Sequence, residues 1–359
     1  AVLGSACSAA PPASAHKKPP RTARADEAPD VVTYGRRPDA VALAREIAER
    51  QGLDAEWTVA ALAQARYQPS VARLVMPAAA GSAKNWSAYR ARMVDAQRVR
   101  EGLRFWQAHE RWLDAAQTRW GVPPEMVVAI IGVETYYGRI RGGFRVLDAL
   151  ATLSLDFPSG RSDRSGFYRD ELAAFLAWCQ AEGRDPASVT GSYAGAIGLP
   201  QFMPSSIRRY AVDFDGDGHI DLEGNPADAI GSVASYFAQQ GWQAGLPTHH
   251  GIAVPSDTVA RATLLAPDIR PTFSPARLAE LGAVLDDNGR RHTGLLAVVE
   301  LQNGEQAPNY VAGTENFWVV TRYNWSSYYA MAVIELAREV ARLRPPPSLS
   351  KAAASAPLQ

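Results

Sequence analysis

Apolar positions recur at helical spacing through most of the first two thirds of the chain. Val41, Leu43 and Ile47, with alanines between them, predict a helix with Asp39 as its cap. Asp54 starts a second helix through Trp57, Val59 and Leu62, which stops near Pro69. A longer helical block covers Trp86 to Trp120 and ends at Gly121. Pro123 and Pro124 open the next helix, with Gly138 at its end. Further helices are predicted over Ser165–Gly183, Pro204–Tyr210 and Pro226–Gln240. From residue 248 to 311 the pattern shortens into β-like runs at Ile252–Val254, Ala262–Leu265 and Leu295–Leu301, with another at Phe317–Val320. Ser326–Leu343 returns to helical period. The pattern thus predicts a mainly α protein of α+β class, with a small β-containing lobe inserted into it. Residues 1–34 and 345–359 lack periodicity and are rich in Ala, Pro and Ser, so they read as a disordered leader or tether and a disordered tail.

One apolar run stands out. Eight residues, Met126 to Val133, lead into a single acid, Glu134, followed by Thr135-Tyr136-Tyr137-Gly138-Arg139. A carboxyl group abutting such a run is poorly hydrated, which penalises its charged form and raises its pKa toward the range of a general acid. A buried acid satisfied by Tyr or Arg neighbours is the competing reading of the same residues. A second segment, Gly191-Ser192-Tyr193-Ala194-Gly195-Ala196-Ile197-Gly198-Leu199-Pro200-Gln201, is dense in small residues. Its backbone must approach either a ligand or another helix closely, and Ser192, Tyr193 and Gln201 add groups suited to hydroxyls and amides.

Composition narrows the field. Lys plus Arg and Asp plus Glu both number 37, so the formal net charge is zero and no basic face for nucleic acid is indicated. Nine tryptophans and thirteen tyrosines suit sugar rings as well as cores. No apolar stretch reaches the roughly 18 residues needed to cross a membrane. Ala1-Val2-Leu3-Gly4-Ser5-Ala6-Cys7 reads as the tail of a signal peptide and resembles a bacterial lipoprotein cleavage site, with Gly4 where Leu is usual. Acylated Cys7 and ordinary signal cleavage are both open. Cys179, the other cysteine, reads as a small buried hydrophobe, and no structural disulfide is expected. His109, His219, His249, His250 and His292 have no transition-metal spacing, and His249-His250 reads as loop surface.

Residues Asp213-Phe214-Asp215-Gly216-Asp217-Gly218-His219-Ile220-Asp221-Leu222-Glu223 follow a calcium-loop spacing, with acids at positions 1, 3 and 5, Gly at 6 and an acid at 9. Gly224 stands where a bidentate Glu is usual, and Asp228 could close a longer loop. Five crowded carboxylates repel one another unless a cation neutralises them. A structural calcium ion is the expectation, over an unmetallated turn or a solvated acidic face.

The segments Ile131-Gly132-Val133-Glu134-Thr135, Gly191-Ser192-Tyr193-Ala194-Gly195-Ala196 and Gln201-Phe202-Met203-Pro204-Ser205-Ser206 together resemble the lytic murein transglycosylase B family. Asp213 to Ile230 and Thr321-Arg322-Tyr323-Asn324 complete the resemblance, which covers roughly residues 35 to 345. It implies a lysozyme-like helical core with an additional N-terminal helical lobe and a small inserted β lobe. The corresponding division is a helical lobe over 35–115, the core with its calcium loop over 116–247, the β lobe over 248–311 and a return to the core over 312–344. It also implies cleavage of the β-1,4 bond between N-acetylmuramic acid and N-acetylglucosamine of peptidoglycan, leaving 1,6-anhydromuramoyl ends.

By position, Glu134 matches the single catalytic acid and base. Tyr89, Ser192, Gln201, Tyr236, Tyr323, Asn324 and Tyr329 match substrate-cleft positions, and Arg164 is the preferred counterpart of an arginine in a segment that is longer here. Asp213, Asp215, Asp217 and Asp228, with the backbone carbonyl of His219, match the calcium ligands. The family resemblance further implies a periplasmic protein, attached to the outer membrane if Cys7 is acylated, with peptidoglycan strands as substrate and cell-wall synthesis proteins as partners. No organic cofactor is expected. Two alternatives stay open: a hydrolytic muramidase using Asp148, Asp156 or Asp163 beside Glu134, and a non-catalytic peptidoglycan-binding scaffold.

Overall fold

Side chains that compete for backbone N–H groups set most helix starts in the computed structural model, which describes residues 33–76 and 84–344. Helix α1 (Pro38–Gln51) is an exception: Arg37 occupies its cap, and Asp39 lies in the first turn, paired with Arg37 at 2.6 Å. Asp54 caps α2 (Ala55–Ala63) as expected, accepting from the Trp57 amide at 2.6 Å. A short α3 (Pro69–Leu74) follows. The block expected from Trp86 to Trp120 is two helices, α4 (Trp86–Met93) and α5 (Ala96–Trp120). Asp95 divides them, because its carboxylate takes the amides of Gln97 and Arg98 and starts the second helix afresh.

Next come α6 (Pro124–Thr135), α7 (Val146–Leu155), α8 (Ser165–Ala181), α9 (Pro204–Tyr210) and α10 (Pro226–Gln239). Proline in the first turn of α6, α9 and α10 costs no hydrogen bond there. Helix α6 is apolar on every side, and Val127 to Ile131 are fully buried. It packs against α5, α10 and a last helix, α15 (Ser327–Leu343). Cys179 is buried on α8, and burial pushes its thiol pKa up to about 12, leaving it inert.

The inserted segment is mixed in structure. Strands β3 (His249–Ala253), β4 (Val284–Leu285), β5 (Ala297–Asn303) and β6 (Gln306–Gly313) form an antiparallel sheet in the order β4-β3-β6-β5. A separate two-stranded pair joins β1 (Phe144–Arg145) to β2 (Thr190–Gly191). The run around β5 is continuously apolar because its two faces serve different cores. Ala297, Val299 and Leu301 join the main cluster, while Leu296 and Val298 join a small one with Leu264, Leu278, Leu285 and Ala312.

Two runs read as β-like are helical: Ala262–Leu265 lies in α11 (Thr258–Leu265), and Phe317–Val320 lies in α14 (Glu315–Asn324). Both helices start on side-chain caps, Asp257 and Thr314, and a four-residue apolar run cannot by itself distinguish a strand from a buried helix turn. Two more short helices, α12 (Pro275–Glu280) and α13 (Asp287–Arg290), complete the segment. His249 and His250, expected on a surface loop, begin β3. His250 is buried there, 5.2 Å from the ring of His292. Most of the leader including Cys7, and the tail over 345–359, lie outside the described residues.

Candidate active site

Glu134 is the penultimate residue of α6. The helix ends on two consecutive left-handed residues, Tyr136 (φ 51°) and Tyr137 (φ 58°), so Gly138 is not the cap. What holds this uncommon geometry is packing. The Tyr137 ring fills a slot between α5 and α6, where a Cβ on either Gly102 or Gly132 would lie 2.5 Å from its hydroxyl. Phe105 packs beside it at 5.7 Å.

The Glu134 side chain keeps part of its surface open, but the protein crowds its carboxyl group closely. Burial pushes its pKa up to about 7, against the opposing effect of Tyr329, whose hydroxyl donates to Oε1 and favours the carboxylate. Oε2 is therefore the natural seat of the acid proton. Tyr329, Tyr323 and Tyr89 all feel the charge of Glu134, which with burial keeps their hydroxyls protonated. The Tyr323 and Tyr329 rings stack at 6.3 Å, and Tyr236 abuts Tyr323 at 4.9 Å. Among the described residues no second carboxylate is hydrogen-bonded to Glu134 or contributes to its pKa shift.

The glycine-rich segment forms a turn, Gly198–Gln201, beside this helix end. Thr135 Oγ1 lies 3.0 Å from the Leu199 carbonyl, and Tyr323 donates to the Pro200 carbonyl at 2.7 Å. Gln201 itself has a left-handed backbone (φ 50°), and its amide donates to Gly198 O at 2.9 Å and Arg141 O at 3.2 Å. Ser192 Oγ accepts from the amides of Ala194 and Ala196, closing the loop that follows β2.

A cleft of about 560 Å³ is lined by Tyr89, Arg92, Trp325 and Tyr328, among others. Trp86, Tyr89 and Tyr328 form one aromatic wall, with rings 6.1–6.4 Å apart. Nothing in the local sequence marks Trp325, Tyr328 or Arg92 for the site, although each neighbours a residue or segment that it does mark. Asn324 ends α14 with an exposed side chain. Tyr236 is buried at 7% exposure and supports Tyr323 from behind. Arg164 is exposed, with its guanidinium 4.7 Å over the Phe167 ring. The same guanidinium lies 5.9 Å from the Tyr168 ring.

The acidic loop divides into two groups. Asp213, Asp215 and Asp217 each bring one carboxylate oxygen within 4.8 Å of the others. Backbone amides of Gly218, Gly216 and Asp217 point at Asp213 and hold its carboxyl below the usual range. Asp221 and Glu223 turn away toward Arg184, so the five expected charges do not form one cluster. Asp228 is fully buried and stands apart from the three, accepting from the amides of Phe214 and Asp221 at 2.8 Å each. His219 is exposed. Phe214 anchors the loop between Trp112, Trp120 and Gly231.

A lone crowded acid whose charge is felt by Tyr89 in the wall of an aromatic cleft, on a mostly helical core, marks a glycan-cleaving enzyme of lysozyme-like type. The transglycosylase SLT domain family matches residues 36–338. Over 320 residues the chain is 38% identical to the membrane-bound lytic murein transglycosylase B of Escherichia coli (strain K12), covering 87% of this chain and 85% of that protein. The crystal structure of the soluble lytic transglycosylase SltB1 of Pseudomonas aeruginosa superposes with a TM-score of 0.77 at 40% identity, covering 85% of this chain and 99% of that one. The Escherichia coli lytic transglycosylase Slt35 in complex with calcium gives 0.75 at 37% identity, covering 86% and 94%. This chain belongs to the lytic transglycosylase family, and the lysozyme-like, mainly helical fold expected from its sequence is the fold it has.

Proposed function

We propose that this enzyme cleaves the β-1,4 bond between N-acetylmuramic acid and N-acetylglucosamine in peptidoglycan, with Glu134 acting first as acid and then as base. The observation that carries the reading is a single carboxyl group, its pKa pushed up to about 7 by burial, on which no second carboxylate among the described residues acts. Protonated Glu134 donates to the glycosidic oxygen as the C1–O bond breaks and the muramoyl ring gains oxocarbenium character. The resulting carboxylate takes the proton of the 6-hydroxyl as that oxygen bonds to C1, which regenerates the acid and consumes no water. The tethered hydroxyl has the advantage of an intramolecular nucleophile.

A hydrolytic glycosidase ordinarily needs a second carboxylate roughly 5–9.5 Å away. The three aspartates available for that reading are engaged elsewhere. Asp148 accepts from the Arg66 amide and the Gln68 side chain, Asp156 holds Tyr34 and Arg37, and Asp163 accepts from the amide and hydroxyl of Ser165. Mass spectrometry of digested peptidoglycan tests the proposal: anhydro products are one water lighter than hydrolytic ones, and purely hydrolytic products would overturn it.

In this reading Tyr89 and Tyr323 border the reacting sugar, Ser192, Gln201 and Asn324 offer groups to its amides and hydroxyls, and Arg164 serves more distal glycan. Tyr236 supports Tyr323. A calcium ion suits the three converging oxygens of Asp213, Asp215 and Asp217, since hard cations take several oxygen ligands. The His219 carbonyl and Asp228 complete the proposed ligand set. Bound there, the ion would neutralise the loop and brace it. The Escherichia coli relative is membrane-bound by name, and among the described residues no helix is long and apolar enough to cross a membrane. The proposed location is the periplasm, with outer-membrane attachment through an acylated Cys7. An acyl mass on the mature N-terminus checks the attachment.

A further inference from the structure

Thr135 follows Glu134 directly and is fully buried. Its Oγ1 accepts from the Gly138 amide at 3.0 Å and lies 3.0 Å from the Leu199 carbonyl and 3.1 Å from the Ile131 carbonyl. One hydroxyl proton serves one strong bond. The Ile131 carbonyl already receives the Tyr137 amide, whereas no other donor among the described residues reaches the Leu199 carbonyl. Leaving a buried carbonyl unpaired is costly, so the proton belongs to Leu199.

Leu199 is held from its other side by the acidic loop. Its amide donates to the Leu222 carbonyl at 2.8 Å, and the Asp221 amide just before Leu222 donates to Asp228. Gly198 makes this approach possible: its φ is 73°, and a Cβ there would lie 2.4 Å from the Leu222 carbonyl. The turn therefore joins the acidic loop to the end of α6. That end has a use for the tie, because the chain turns left-handed immediately beyond it at Tyr136 and Tyr137.

We propose that Thr135 is a positioning residue: it fastens the Leu199 carbonyl to the C-terminus of α6, so that the placement of Glu134 depends on the order of the Asp213–Asp228 loop. The inference rests on the assignment of Glu134 as the acid. A displacement of about 1 Å at a reacting group can cost on the order of a hundredfold in rate, so this tether acts on kcat and leaves substrate affinity largely alone.

The test compares Thr135→Val, which keeps the volume and loses the hydroxyl, with Thr135→Ser, which keeps the hydroxyl. Rates of anhydro-product formation on a soluble muramoyl oligosaccharide are measured across pH 4–9, and amide hydrogen exchange is followed with calcium and with a chelator. The expected result for Thr135→Val is a kcat lower by about 10- to 100-fold with KM within about twofold and a displaced upper pH limb, while Thr135→Ser stays within about threefold of the parent. Chelation speeds exchange of the Gly138 and Leu199 amides in the parent, whereas in Thr135→Val the Gly138 amide is already fast and insensitive to chelation. A Thr135→Val enzyme with parental kcat and pH limb overturns the proposal, as does a Thr135→Ser enzyme equally damaged. If Thr135→Val does not fold, the parent and Thr135→Ser decide by exchange, and insensitivity of Gly138 to chelation in both overturns the tether. Failure of the assignment itself looks different: the parent would release no anhydro product, or Glu134→Gln would remain active.

Discussion

Glu134 and Asp213 carry the same functional group, and their surroundings shift it in opposite directions. Glu134 ends a helix buried on every side, receives one O–H from Tyr329, and has its pKa pushed up to about 7 by lost hydration. Asp213 lies at the edge of an open loop, where backbone amides led by that of Gly218 stabilise its charge and lower its pKa. Asp228 falls between them. Burial raises its pKa although two backbone amides point at it, and the charges of Asp215 and Asp213 push the same way. The difference separates two kinds of acid site: one set up to hold and release a proton, the other to stay charged and organise a loop.

Glu134→Gln should produce the largest effect in any test of this contrast. Removing a general acid costs roughly 10²- to 10⁴-fold, and because one group serves both steps the upper end is expected, with glycan binding retained. Residual turnover within tenfold of the parent would remove Glu134 from the chemistry. Next comes the joint between the two sites. Gly198→Ala puts a Cβ against the Leu222 carbonyl in a left-handed backbone, and urea unfolding should show a loss of about 3 kcal/mol or more.

The third expectation concerns stability and pH. Glu134 ionises near 4.5 in the unfolded chain and near 7 in the folded one, so the folded state binds more protons between those values and its stability falls as pH rises through that window. Glu134→Gln escapes the penalty. The variant should gain up to about 3 kcal/mol over the parent at pH 8 and nothing below pH 4.5. An equal gain at both pH values would show that folding does not raise the Glu134 pKa. Calcium addition at about a hundred times its dissociation constant should stabilise by about 2.7 kcal/mol, read as a rise in Tm that Asp217→Asn reduces. No rise in Tm would leave the loop as a solvated turn. The smallest effect falls to Tyr329→Phe. Losing a donor to the carboxylate raises the Glu134 pKa further, moving the upper limb of the kcat profile up by about one pH unit, whereas a downward move would contradict the assigned hydrogen bond.

Local patterns in the chain were good guides wherever a short segment carries its own physics. The apolar run before Glu134, the cap at Asp54 and the spacing of Asp213, Asp215 and Asp217 can each be read within about a dozen residues. A segment that is ambiguous by itself takes its form from its surroundings. Phe317–Val320 is as apolar as a strand, and only Thr314 and the buried faces around α14 make it helical. His249-His250 has the local character of a loop, and its pairing with β6 makes it strand.

What the sequence by itself determined is the family, and it offered Glu134 and the acidic loop as candidates, because these rest on residue types at short spacing. What only the tertiary structure decided is how the acid is held. Tyr329 reaches Glu134 across 195 positions, and Thr135 meets Leu199 across 64. No local rule predicts contacts of that separation: they follow from how buried helices pack and from which buried polar groups must find a partner.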